Sequence, residues 1–101
     1  MVLEIDTADN QKVTVSLDGE SLTVRSGLGS AQNVLPALVK ILKKKKASLE
    51  DLTAIKVNPG PGSFTGLKVG VTVANTLGYL LGIPVNGREI KADSIVEPKY
   101  E

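Results

Sequence analysis

Residues Asn58-Pro59-Gly60-Pro61-Gly62-Ser63-Phe64-Thr65-Gly66-Leu67-Lys68-Val69-Gly70 join a short apolar run to a long one, and this junction limits what the chain can fold into. The run before it, Ala54-Ile55-Lys56-Val57, alternates like the end of a strand. The run after it, from about Phe64 to Leu81, repeats apolar residues at helical spacing. Strand, tight loop and helix start therefore follow one another. Gly60 and Gly62 admit backbone angles closed to other residues, and Pro59 and Pro61 stiffen the loop between strand and helix. Ser63 occupies the N-cap position, its hydroxyl free to accept from first-turn amides.

Such a junction can aim N–H groups at an anion. It can equally be a plain connection. The stretch lacks the Gly-Lys-Ser/Thr of a P-loop and the Gly-x-Gly-x-x-Gly of a dinucleotide site. A phosphate reading would use Gly60, Gly62, Ser63 and Thr65, with Asp6 and Thr7 from an oxygen-rich turn near the start of the chain.

Ahead of the junction, Val2 to Thr7 reads as a buried first strand. Val13, Val15 and Leu17 alternate with polar residues in a second, and Leu22 and Val24 in a third. Asp18-Gly19 is a strong hairpin signal between the latter two. The first helix carries Ala31, Val34, Leu35, Leu38, Ile41 and Leu42 on one face. Its start is either capped by Ser30 with a kink at Pro36, or placed nearer Asn33. It ends in Lys43-Lys44-Lys45-Lys46, where cations complement the helix dipole. The alternative reading of these lysines is contact with RNA phosphates or an acidic partner. Ser48-Leu49-Glu50-Asp51 reads as a brief capped turn. Gly82 closes the second helix and Ile83-Pro84-Val85 begins a fifth strand.

The second helix has an apolar arc too wide for one sheet. Leu67, Val69, Val71, Val73, Ala74, Leu77, Leu80 and Leu81 cover more than half its circumference, leaving Lys68, Thr72, Asn75, Thr76 and Tyr79 as a narrow polar strip. A single sheet face needs only about a 100° stripe, so the surplus points to a subunit boundary. Gly66, Gly70, Ala74 and Gly78 recur every four residues as a close-packing ridge. That ridge fits either tight docking on the chain's own sheet or a helix of another subunit.

Composition removes several chemistries. With no Cys and no His among 101 residues there is no disulfide framework, thiol nucleophile or imidazole base, and no metal site is expected: zinc lacks its ligands, and carboxylates leave open only the binding of a hard metal ion. Ser63 and Lys68 could be written as a catalytic pair, but five residues apart on a helix they diverge by about 140°. No catalytic residue is expected. A net charge of +1 argues against a generally nucleic-acid-coated surface. The opening Met1-Val2-Leu3-Glu4 has no basic region of the kind that begins a signal peptide, and no apolar run nears membrane-spanning length, so a cytoplasmic protein without membrane contact is expected.

The stretch Gly60-Pro61-Gly62-Ser63-Phe64-Thr65-Gly66-Leu67-Lys68-Val69-Gly70 resembles the signature of the TsaB (YeaZ) family. That family is related to the TsaD/Kae glycoprotease-like proteins within the actin-like ATPase (ASKHA) superfamily. Leu3-Glu4-Ile5-Asp6-Thr7-Ala8 is similar to its opening strand, Val34 to Leu38 to its first helix, Leu49 to Ile55 to the approach to the loop, and Leu80 to Val85 to the exit from the second helix. The resemblance implies an α/β fold, a single actin-like (ribonuclease H-like) lobe over residues 1–86. Its mixed five-stranded sheet would hold an antiparallel meander of the first three strands followed by helix, strand, helix, strand. Residues 87–101 would be a polar tail, with the second lobe absent.

The resemblance also implies a function: non-catalytic support of tRNA threonylcarbamoyladenosine modification, by pairing with TsaD through the two helices. TsaE would be a further partner, tRNA would be met only indirectly, and the chain alone would form a homodimer. The implied interface is Val34, Leu38, Ile41 and Leu42 from the first helix with Val69, Val73, Leu77 and Leu80 from the second. No cofactor is expected. Without a second lobe an ATP cleft lacks one wall, Lys68 stands where the signature has arginine, and the paired histidines that hold metal in TsaD-type proteins have no counterpart. The alternatives are a nucleotide- or phosphate-binding module, with ATP and Mg²⁺ as ligands, and a homodimeric domain with a different partner.

Overall fold

The computed structural model describes residues 1–9, 11–25 and 33–90. Within them the elements run β1 (Val2–Asp6), β2 (Lys12–Leu17), β3 (Glu20–Arg25), α1 (Val34–Lys44), a short 3-10 turn (Leu49–Asp51), β4 (Ala54–Val57) and α2 (Phe64–Leu81). The sheet order is β3-β2-β1-β4. The meander is antiparallel, with Leu3 opposite Leu17 and Val15 opposite Leu22, while β4 runs parallel to β1 with Leu3 beside Ile55.

Period-two alternation gives the sheet one dry and one wet face. Leu3, Ile5, Val13, Val15, Leu17, Ile55 and Val57 all point to the dry side and form one cluster with residues of both helices. Each such aliphatic side chain contributes about 1.5–3 kcal/mol when buried. The wet side carries Glu4, Asp6 and Lys56, all exposed. There the hydroxyls pair across strands, Thr14 with Thr23 at 3.0 Å and Ser16 with Ser21 at 2.9 Å.

Among the described residues the sheet has four strands, and the expected fifth is reduced there to one residue. Val85 makes a single parallel bridge to Ile55, then a second, antiparallel one to Arg88. The cause is the turn between them. Asn86 and Gly87 take φ values of 51° and 78°, and Val85 and Arg88 exchange backbone hydrogen bonds of 2.8 and 3.0 Å. A two-residue turn of this kind reverses the chain before a strand can lengthen. Residues 91–101, expected as a polar tail, lie outside the described residues, as do Ser30 and Ala31.

α1 begins after Asn33, which places Pro36 in its first turn, where a missing N–H costs nothing. Its last turn holds Lys43 and Lys44. Lys44 and Lys45 reach Glu20 at 3.3 and 3.9 Å. These pairs are solvent-facing, so Glu20→Gln should lower the stability measured by denaturant titration by under about 1 kcal/mol. Ser48 donates from its N–H to the Asp51 carboxylate at 2.9 Å, closing the short turn before β4.

β3 and β4 both run parallel to β1, so α1, which leads from the end of β3 to the start of β4, descends the sheet. α2 leads from the end of β4 to Val85, which is parallel to Ile55, and descends likewise. The two helices therefore run in the same direction across the dry face.

Candidate functional site: the helix face and the loop above it

The loop between β4 and α2 closes on itself. Asn58 donates from its backbone N–H to Ile5 C=O at 3.0 Å and from Nδ2 to Asp6 Oδ1 at 3.3 Å. Asn58 Oδ1 accepts from Gly60 N–H at 3.0 Å, and Asp6 Oδ1 also accepts from Ala8 N–H at 3.0 Å. Ser63 N–H donates to Ala8 C=O at 2.8 Å, and Ser63 Oγ accepts from Gly66 N–H at 3.4 Å. A Cβ on Gly62 would lie 2.7 Å from Ala8 Cβ, so the loop and the Ala8 turn touch backbone to backbone. The Gly60–Pro61 peptide is cis.

These bonds bear directly on the residues of the phosphate reading. Asp6 is exposed but already accepts two hydrogen bonds, and the Gly60 and Ser63 amides are engaged within the loop. Thr65 is exposed on the first turn of α2. Thr7 is fully buried, and its hydroxyl donates to Gly66 C=O at 2.5 Å. It is a clamp between β1 and α2, and it does not face a ligand. Period two had the signal for this: Thr7 follows Leu3 and Ile5 on the inward face. A shallow open depression on the wet face, lined by Glu4, Asp6, Thr14, Ser16, Lys56 and Asn58, adjoins the loop.

The glycine ridge faces inward. A Cβ on Gly70 would overlap the Thr7 hydroxyl, and one on Gly78 would fall 2.5 Å from Val85 Cγ2. Gly66 is buried and Ala74 is fully buried. Of the two readings of this ridge, the geometry corresponds to docking on the chain's own sheet and hairpin.

The interface residues divide. Val34, Leu38, Ile41 and Leu42 are buried beneath α1 in the chain's own core, with Ile41 at 0% and Leu42, the most open of them, at 9% exposure. They cannot be the contact surface, which corrects the assignment made from the resemblance. Helical spacing shows that an apolar arc exists and leaves open which edge of it turns to the sheet. The outward edge of α1 is Leu35 and Val39, one turn apart and 58% and 48% exposed. On α2, Val69, Val73 and Leu77 are half-buried and Leu80 is 71% exposed. Lys68, Thr72, Thr76 and Tyr79 are exposed as read, whereas Asn75, read with them, is buried. Each helix thus exposes large apolar side chains, Leu35 and Val39 on α1 and Leu80 on α2, while Val69, Val73 and Leu77 pack partly against the core.

The comparisons with known proteins fit this architecture. The family model for TsaD, tRNA N6-adenosine threonylcarbamoyltransferase, matches residues 28–87, which include both helices and the loop. A tRNA threonylcarbamoyladenosine biosynthesis protein TsaB from Bacillus subtilis is 29% identical over 116 aligned positions, covering 99% of this chain and 49% of that protein. The chain belongs to the TsaD family, on its TsaB (YeaZ) branch. TsaB of Escherichia coli is 38% identical over 56 residues, covering 55% of this chain and 24% of that one. A Pseudomonas aeruginosa crystal structure, described as an uncharacterized protein with similarity to peptidase YEAZ, superposes with a TM-score of 0.71 at 29% identity. It covers 83% of this chain and 40% of the other. The chain spans about half the length of its Bacillus subtilis TsaB relative (49%).

Among the described residues no group of three or more acidic side chains is placed to hold a metal ion, and no helix is long and apolar enough to cross a membrane.

Proposed function

We propose that the chain acts in tRNA threonylcarbamoyladenosine biosynthesis as a non-catalytic TsaB-like subunit, docking a TsaD-like protein on the outer flank of its two helices. The observation that carries this reading is that α1 exposes Leu35 and Val39 and α2 exposes Leu80, with Val69, Val73 and Leu77 of α2 half-buried. Apolar side chains of this size on neighbouring helices are a docking surface in search of a cover. The docked partner supplies the chemistry and the tRNA contact, with TsaE joining through the complex. In isolation the same flank pairs two copies of the chain, in the cytoplasm.

In this reading the Gly60–Ser63 loop is a clasp that fixes the start of α2, since the Gly60 and Ser63 amides and the Thr7 hydroxyl already have partners. A nucleotide would have to displace those bonds. Calorimetry with ATP and Mg²⁺ should therefore register no binding heat, and saturable heat would favour the nucleotide-binding alternative. The docking itself is tested by co-purification with a TsaD protein of the same source, with the mass measured by light scattering. A heterocomplex, or a homodimer when alone, is expected. A strict monomer that ignores TsaD would overturn the reading.

A further inference from the structure

Asn86 uses its side chain at the outer edge of β4 as a strand would use its backbone. Ile55 N–H donates to Pro84 C=O and Asn86 N–H donates to Ile55 C=O, each at 2.9 Å. One step further along, the ladder continues through the side-chain amide. Val57 N–H donates to Asn86 Oδ1 at 2.8 Å, and Asn86 Nδ2 donates to Val57 C=O at 2.9 Å. The primary amide thus replaces the peptide group that a longer fifth strand would have placed there. The next residue is Gly87, with no Cβ to shield its backbone nitrogen from the Asn86 side chain.

We propose that Asn86–Gly87 is a self-modification site, a deamidation site that Val57 holds unreactive and that opening of the β4 edge releases. The reaction needs only water. The Gly87 amide nitrogen gives up its proton and bonds to Asn86 Cγ. The Cγ–Nδ2 bond breaks, and the side-chain nitrogen leaves with that proton as ammonia. Water then opens the resulting five-membered imide. Cleavage of the bond between Cγ and the Gly87 nitrogen gives aspartate. Cleavage at the main-chain carbonyl gives isoaspartate. While the edge is closed, the Oδ1 and Nδ2 atoms attached to the reacting carbon are both bound to Val57, and the leaving nitrogen cannot depart without breaking its bond.

The products cannot restore the edge. Aspartate has no donor for the Val57 carbonyl and sets a carboxylate oxygen against it. Isoaspartate routes the main chain through Cγ and removes both bonds. The damage reaches α2 as well, because Val85, one residue before the site, packs into the space left by Gly78. This inference is independent of the identity of the docking partner.

The test uses the unmodified chain in mildly alkaline buffer, with and without unfolding urea, followed by peptide mapping and isoaspartate assay. Asn58 is the internal control, since Pro59 has no N–H to attack with. Conversion at Asn86 should be at least about tenfold slower in the folded chain, set by the rarity of edge opening. Equal rates in the two states would overturn the protection, and no conversion in urea would overturn the site. In Asn86→Asp, hydrogen exchange at Val57 N–H should accelerate at least about tenfold relative to the parent. Unchanged exchange there would overturn the predicted consequence. If that variant fails to fold, the rate comparison on the parent chain still decides the proposal.

Discussion

Gly70→Ala should destabilise the chain by about 2–3 kcal/mol, read as a lower midpoint in equilibrium urea unfolding. On propensity alone the change is favourable by about 1 kcal/mol, because alanine suits a helix interior better than glycine. The surroundings reverse the sign. A methyl group at Gly70 overlaps the Thr7 hydroxyl, which is fully buried and donates to Gly66 C=O. Thr7 is short and β-branched, so it can yield only by abandoning that bond or by pushing β1 from α2. The partner variant Thr7→Ala removes both the hydroxyl and the obstacle. In a double-mutant cycle the two changes should couple by at least about 1 kcal/mol, with Gly70→Ala far milder in the Thr7→Ala background. A Gly70→Ala midpoint at or above that of the parent would refute the clamp.

Leu35→Asp combined with Leu80→Asp should leave the isolated fold nearly unchanged and weaken docking strongly. Both side chains are mostly exposed, at 58% and 71%, so stability at low protein concentration should shift within about ±0.5 kcal/mol per site. At a docked interface the same carboxylates would be buried opposite apolar groups. A loss of about 2 kcal/mol or more, roughly thirtyfold in Kd for a TsaD-like partner, is expected. Ile41→Asp is the contrasting control. Ile41 is fully buried under α1, so that variant should fail to fold. Undiminished affinity in the Leu35/Leu80 variant would show that the flank is not the docking surface.

The sequence marked the ends of elements better than their orientation. Ser63 and Gly82 bound α2 as their chemistry demands, Gly82 by adopting the left-handed conformation at φ 66°. The Asp18-Gly19 turn was equally plain, and Asp18 Oδ1 additionally accepts from Val2 N–H at 2.8 Å. The direction in which a broad apolar arc faces was not legible. Leu35, Leu38, Val39 and Leu42 share one side of α1, and only the position of β2 and β3 beneath it decides that Leu38 and Leu42 are core while Leu35 and Val39 are surface. The hydroxyl of Thr7 suggests a ligand, whereas its strand position points inward, and the strand position prevails. Asn86-Gly87 is a strong hairpin pair that falls at the boundary expected between lobe and polar tail, and the turn it makes after Val85 ends the fifth strand. The two-sided pairing of its amide with Val57 had no sequence signal at all.

The common direction of α1 and α2 has an electrical consequence. Each helix carries about half a unit of positive charge at its start and of negative charge at its end, so two aligned helices add where opposed ones would cancel. Asp6 at the end of β1 and Asp9 in the turn that follows lie near the start of α2, and Lys43, Lys44 and Lys45 at the end of α1. The ionised side chains thus oppose the field of the backbone at either pole. Two carboxylates at one pole and three ammonium groups at the other outweigh the roughly half-unit backbone charges there, so the local field at each pole takes its sign from the side chains and not from the helices.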